Sequence, residues 1–164
     1  ILQSQHNSKY PANSVTGLME YEMQPEALGL LIEAAPWYKY LGSNVVRAVI
    51  EPEVVDKARI RSLQMNQARN SVSNASCYAE LYLSDQTFEG GFVKSHLFNN
   101  FAVRTFNSAS DTKANGIVWS ELKQFPARDE ATLPVATQNF REAFVKNLTK
   151  FLDKKLRPLS KLAP

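Results

Sequence analysis

Between Phe140 and Leu152 the apolar residues Phe140, Phe144, Leu148, Phe151 and Leu152 fall at offsets of 0, 4, 8, 11 and 12. Only an α-helix brings positions with that spacing onto one face. The stretch therefore demands a helix carrying a broad apolar stripe, and a second layer to cover it. Asn139 reads as its N-cap, with Glu142 three residues on.

The covering layer reads as β-structure. Cys77, Ala79, Leu81 and Leu83 alternate with Tyr78, Glu80, Tyr82 and Ser84, the period of a strand with two different faces. Residues 101–106 (FAVRTF) alternate again, the turn-rich stretch 107–116 follows, and 117–122 (IVWSEL) answers as a hairpin partner that Pro126 closes. Two earlier strands are expected, one over the partly alternating 17–23 and one over the β-branched 44–50. A helix is expected from Pro25 and Glu26, with Leu28, Leu31, Ile32 and Ala35 at helical spacing, ending at Pro36. Residues 92–100 fit neither period. Residues 52–70 lack one clean stripe, but a proline followed by acids favours a helix; as a strand, they would put Lys57, Arg59 and Arg61 in one row.

This order implies an α+β fold: one two-layer domain, a mostly antiparallel sheet with helices packed on one face, and a long C-terminal amphipathic helix. At 164 residues, 44% of them hydrophobic, such a domain hides roughly 70% of its unfolded surface and needs no staple. Residues 1–14 are polar and aperiodic and read as a flexible tail or linker, leaving 15–164 as the domain.

The inventory for chemistry is small. A single cysteine, Cys77, excludes an internal disulfide and a cysteine-based zinc site, and the two histidines, His6 and His96, provide little for a metal. No cofactor is implied. Cys77 with His96 is the one cysteine–histidine combination inside the domain, but an inward strand position makes Cys77 a small hydrophobe. No nucleophile elbow, phosphate loop or dinucleotide glycine pattern occurs. Glu121-Leu122-Lys123, with Asp111 or Asp85 upstream, superficially resembles the carboxylate and Glu-x-Lys pattern of metal-dependent nucleases. Two carboxylates would hold Mg²⁺ and the lysine would face phosphate. A solvent-facing charged pair is the competing explanation, and the preferred one. Residues 96–100 (HLFNN) lack the second histidine of a histidine nuclease.

Trp37, Tyr38 and Tyr40 form an aromatic knot that reads either as a partner surface or as core packing. Lys39 beside two tyrosines, and Arg104 between Phe101 and Phe106, are fragments of a nucleic-acid pattern. From Phe140 to Pro164 the basic residues Arg141, Lys146, Lys150, Lys154, Lys155, Arg157 and Lys161 face two acids, a local balance of +5 in a chain of net charge +3. Such a segment attracts nucleic acid or an anionic membrane, or simply solubilises a helix and complements its dipole. Two glycosylation triplets occur, at Asn74 and at Asn147, the second inside the expected helix.

The longest apolar run, Ala27 to Ile32, is far short of the ~18 to 20 residues that span a bilayer. The sequence starts at Ile1, which fits a removed leader as well as a trimmed chain. With no catalytic constellation, the leading expectation is a non-enzymatic binding or assembly domain whose partner is another protein. The expected setting is that of an exported bacterial accessory protein, periplasmic or anchored like a lipoprotein through its leader. A metal-dependent nuclease using Asp111, Glu121 and Lys123 is the alternative, and a cytoplasmic nucleic-acid-binding domain comes third.

Overall fold

The computed structural model describes residues 2–3, 6–8, 25–41, 57–72, 74–76, 78–90, 94–106 and 112–156. Its elements in chain order are β1 (Leu2–Gln3), β2 (His6–Ser8), α1 (Pro25–Glu33), α2 (Tyr38–Leu41), α3 (Lys57–Met65), β3 (Ala79–Gly90), β4 (Lys94–Thr105), β5 (Lys113–Lys123) and α4 (Leu133–Lys155). β3, β4 and β5 form an antiparallel meander, and β1 and β2 both pair parallel with the far edge of β3. The α+β architecture, with a sheet against helices that include a long C-terminal one, is the one the periodicities imply.

A register shift between Leu83 and Asp85 decides which side chains of β3 face inward. The extra residue changes parity, so Leu81 and Leu83 before it share a face with Gln86 and Phe88 after it. That inner face continues through Leu97, Asn99, Phe101 and Val103 of β4 and Val118, Ser120 and Leu122 of β5, all buried. The stripe of α4 lies on it: Phe101 sits 5.8 Å from Phe144 and 5.5 Å from Phe151, ring centre to ring centre. α1 closes the same core with Leu28 and Ile32. On the opposite face the short α3 adds partial cover, its Ile60 and Leu63 packing on Tyr82 and Ala102.

Gly90 ends β3 with φ 116°, and a Cβ there would meet Lys94 O at 2.6 Å. Only glycine fits that close approach between the arms of the hairpin.

Several boundaries differ from the periodicity reading. α4 begins at Leu133, not after Asn139. Pro134 is pre-set for the first turn, Thr132 is the cap residue, and Ala136 carries the buried stripe one turn further back. A lone alanine gives little hydrophobic signal, so the true start was invisible to an apolar count. Asn139 instead donates its side-chain amide to Lys123 O at 2.6 Å, tying α4 to the end of β5. The stretch 92–100, which fits neither period, is strand from Lys94 onward, and β5 starts at Lys113 inside the expected connector. Within 52–70 the helix alternative holds over Lys57–Met65. Of the leading segment, Leu2–Gln3 and His6–Ser8 line up beside Tyr82–Leu83 and Gln86–Phe88. The strands expected over 17–23 and 44–50, and Cys77, lie outside the described residues.

Candidate functional site: the outer face of the sheet

The meander has a second face, and its two ends are built differently. At one end Glu80 and Tyr82 of β3 face Arg104 and Ala102 of β4. Glu80 and Arg104 are both buried and form an ion pair in which the guanidinium Nε donates to the carboxylate. Tyr82 also donates to Glu80 Oε2, Tyr78 donates to Oε1 at 2.8 Å, and the Asn70 backbone N–H donates to Oε1 at 2.7 Å. Arg104 in turn donates to Asn66 O and, at 2.8 Å, to Ala68 O. Burial alone would raise the Glu80 pKa, but these donors outweigh it and hold the carboxyl below its ordinary value. Burial and the bond to Glu80 push the Tyr78 hydroxyl up to about 12. Every strong group here is spent on a neighbour, so this end clamps 66–70 onto the sheet.

The other end is open. His96 and Phe98 of β4 stand opposite Glu121 and Trp119 of β5, with Ile117 two residues away on the same face. His96 meets the Trp119 ring edge-on at 5.3 Å, and Phe98 lies 6.3 Å from Trp119 and 6.2 Å from His96. Three rings thus touch one another in a triangle, yet Trp119 is 53% exposed and Ile117 65%. Large apolar groups gathered on one exposed surface are informative where scattered ones are not. Lys150 of α4 reaches round the edge of β5, donating to Trp119 O at 2.8 Å and to Ser120 Oγ at 3.2 Å, with its ammonium 5.7 Å from the indole. That arrangement fixes the Trp119 backbone and offers a cation to its ring.

The charges on this face balance: Lys94, Lys113 and Lys123 stand against Asp85, Glu89 and Glu121. A phosphate-tracking surface would be one-signed.

The residues singled out from sequence are scattered. Trp37 is buried and its indole N–H donates to Ile32 O at 2.7 Å; Tyr40 is buried and donates to Asp153 Oδ1 at 2.5 Å. Tyr38 alone of that knot is exposed, at 56%. Asp111 lies outside the described residues. Glu121 pairs with Lys94 at 3.7 Å, and Lys123 ends β5 exposed. Asp85 sits opposite Asn100 while Glu121 sits opposite His96, so β4 and four residues of its length separate them. Strand spacings put their backbones roughly 16 Å apart, too far to share an ion. Among the described residues no three His, Cys, Asp or Glu side chains are placed to hold a metal. Arg104 is committed to its ion pair rather than to a ligand, with its guanidinium 4.6 Å from the Phe106 ring. Asn147 is 0% exposed, which removes the second glycosylation triplet from reach. Arg157 and Lys161 lie outside the described residues. No described helix is long and apolar enough to cross a membrane.

Phe98, Ile117 and Trp119 carry no motif of their own, and the alternation that marks IVWSEL as a strand does not say which of its two faces is covered. Val118, Ser120 and Leu122 point inward; Ile117 and Trp119 have the opposite parity, and that is the available signal. Protein-family models, curated proteins and solved structures, searched with this chain, contain no match to it.

Proposed function

We propose that this domain is a non-enzymatic binding module that engages another protein through the outer face of β4 and β5. The observation that carries it is the triangle in which half-buried His96 and Phe98 hold an exposed Trp119, with exposed Ile117 beside it. Trp is among the residues that dominate interface energies when desolvated at the centre of a patch. The mixed charges around the triangle supply a polar rim of both signs, which suits a protein surface better than a nucleic-acid backbone.

The test is site-resolved cross-linking. A photoreactive residue in place of Ile117 traps a protein partner, whereas the same residue in place of Leu30, exposed on α1, does not. Trp119→Ala in the Ile117-labelled chain abolishes the product. Equal trapping at both positions, or trapping that survives Trp119→Ala, overturns the proposal.

A further inference from the structure

β5 is the last strand on its side of the described sheet, so one of its edges faces away from β4. The Trp119 carbonyl accepts from Lys150, a residue of α4, at 2.8 Å. That carbonyl therefore points to the free edge. In an antiparallel strand the N–H and C=O of one residue point to the same side, and the side alternates along the chain. Asn115, Ile117 and Glu121 then present their main-chain groups in the same row as Trp119. Such a row is a template for one more strand.

Charge decides what kind of strand fits. Lys113 and Lys123 stand exposed at the two ends of β5. Lys150 stands midway, and Lys155 lies beside Gly116, whose added Cβ would meet the Lys155 Cε at 3.0 Å. The single acid of β5, Glu121, is already paired with Lys94. A second copy pairing antiparallel about Val118 would set Lys113 opposite Lys123 at both ends, and like charges directly opposed across strands are destabilising.

We infer that the free edge of β5 receives an acidic, extended segment of a partner protein as an added strand, its carboxylates facing Lys113, Lys123 and Lys150. The inference rests on the protein-binding proposal above and specifies the chemistry of the partner. The added strand takes over the Trp119 carbonyl from Lys150 and lays alternate side chains against Ile117 and Trp119. In the free protein the Lys150 ammonium, partly stripped of water, covers that carbonyl, in the way natural edge strands are guarded by lysine.

The probes are two ten-residue peptides whose middle alternates Val with Thr and whose two ends carry a pair of Glu in one peptide and a pair of Lys in the other, each at millimolar concentration and low salt. The readout is amide hydrogen exchange of the full chain. The Glu peptide slows exchange of the Ile117, Trp119 and Glu121 amides at least tenfold, and the Lys peptide does not. Lys113→Glu with Lys123→Glu removes the effect while β3 and β4 amides keep their protection; Lys113→Gln with Lys123→Gln serves if the reversed pair does not fold. No slowing, equal slowing by both peptides, or slowing that persists in the charge variants overturns the inference. Failure of the outer-face proposal shows separately, as cross-linking at position 117 that survives Trp119→Ala, and leaves the amide readout standing.

Discussion

Arg104 and Glu80 show how a single pair of residues fixes a loop. Both are buried, and each is satisfied by several partners besides the other. Such a pair adds little against an apolar replacement of both, but removing one partner strands the other charge. Arg104→Met is expected to destabilise the fold by ~3 to 5 kcal/mol, measured by chemical denaturation, and the cost shrinks when Glu80→Gln accompanies it. Additive losses in the double variant would contradict the pairing. The pH dependence follows from the lowered carboxyl: the folded state holds Glu80 ionised where the unfolded chain begins to bind a proton, below the ordinary 4.5. Its contribution is full above 4.5 and is lost as pH falls through the lower, folded value. An acid titration of stability should therefore steepen below 4.5 in the wild type and be shallower in Glu80→Gln. Buried amides set a second case, where Asn147 donates to Leu97 O at 3.0 Å and Asn99 Oδ1 at 2.8 Å, and Asn99 donates to Gln86 at 2.9 Å. Asn147→Leu leaves two acceptors without that donor in the core and is expected to cost about 1 to 3 kcal/mol.

Among the elements, α4 was the most legible in the sequence, and the facing of β4 and β5 was the least, for the same physical reason. Phe140, Phe144, Leu148, Phe151 and Leu152 all serve one face, so their spacing reports the helix directly, and all five are buried. Phe144→Ala is expected to cost ~3 to 5 kcal/mol and to lower the melting temperature sharply. In β5 and β4 apolar side chains occupy both parities, because one face is core and the other is exposed yet aromatic. Periodicity cannot separate a buried Val118 from an exposed Trp119 without knowing which face α4 covers. The bulge at Leu83 to Asp85 is silent for a similar reason: nothing in LYLSDQ marks where the parity changes. Of the two readings open to the aromatic knot, Trp37 and Tyr40 follow core packing, turning inward between α1 and α4. Gly90→Ala is expected to destabilise the hairpin, since its φ of 116° and the 2.6 Å approach of Lys94 O leave no room for a methyl group.

At the scale of the whole molecule the two faces of one sheet divide the labour. The inner face spends its apolar residues on α1 and α4, and the outer face covers one end with α3 and its following loop while leaving Trp119 and Ile117, beside half-buried His96 and Phe98, to solvent. If that open end serves binding and not folding, its residues contribute little to stability. Surface substitutions away from special features usually change stability by less than ~0.5 kcal/mol, and for a chain this long 1 kcal/mol moves the melting temperature by roughly 2 to 4 °C. The most direct measurement is the affinity of wild type and of Trp119→Ala for the partner trapped at position 117, with the melting temperatures of both recorded alongside. An interface hot spot of 2 kcal/mol or more predicts at least a roughly thirtyfold loss of affinity, with melting temperatures that agree within about 3 °C. Equal affinities, or an affinity loss matched by collapse of the melting temperature, would contradict a binding role for this face.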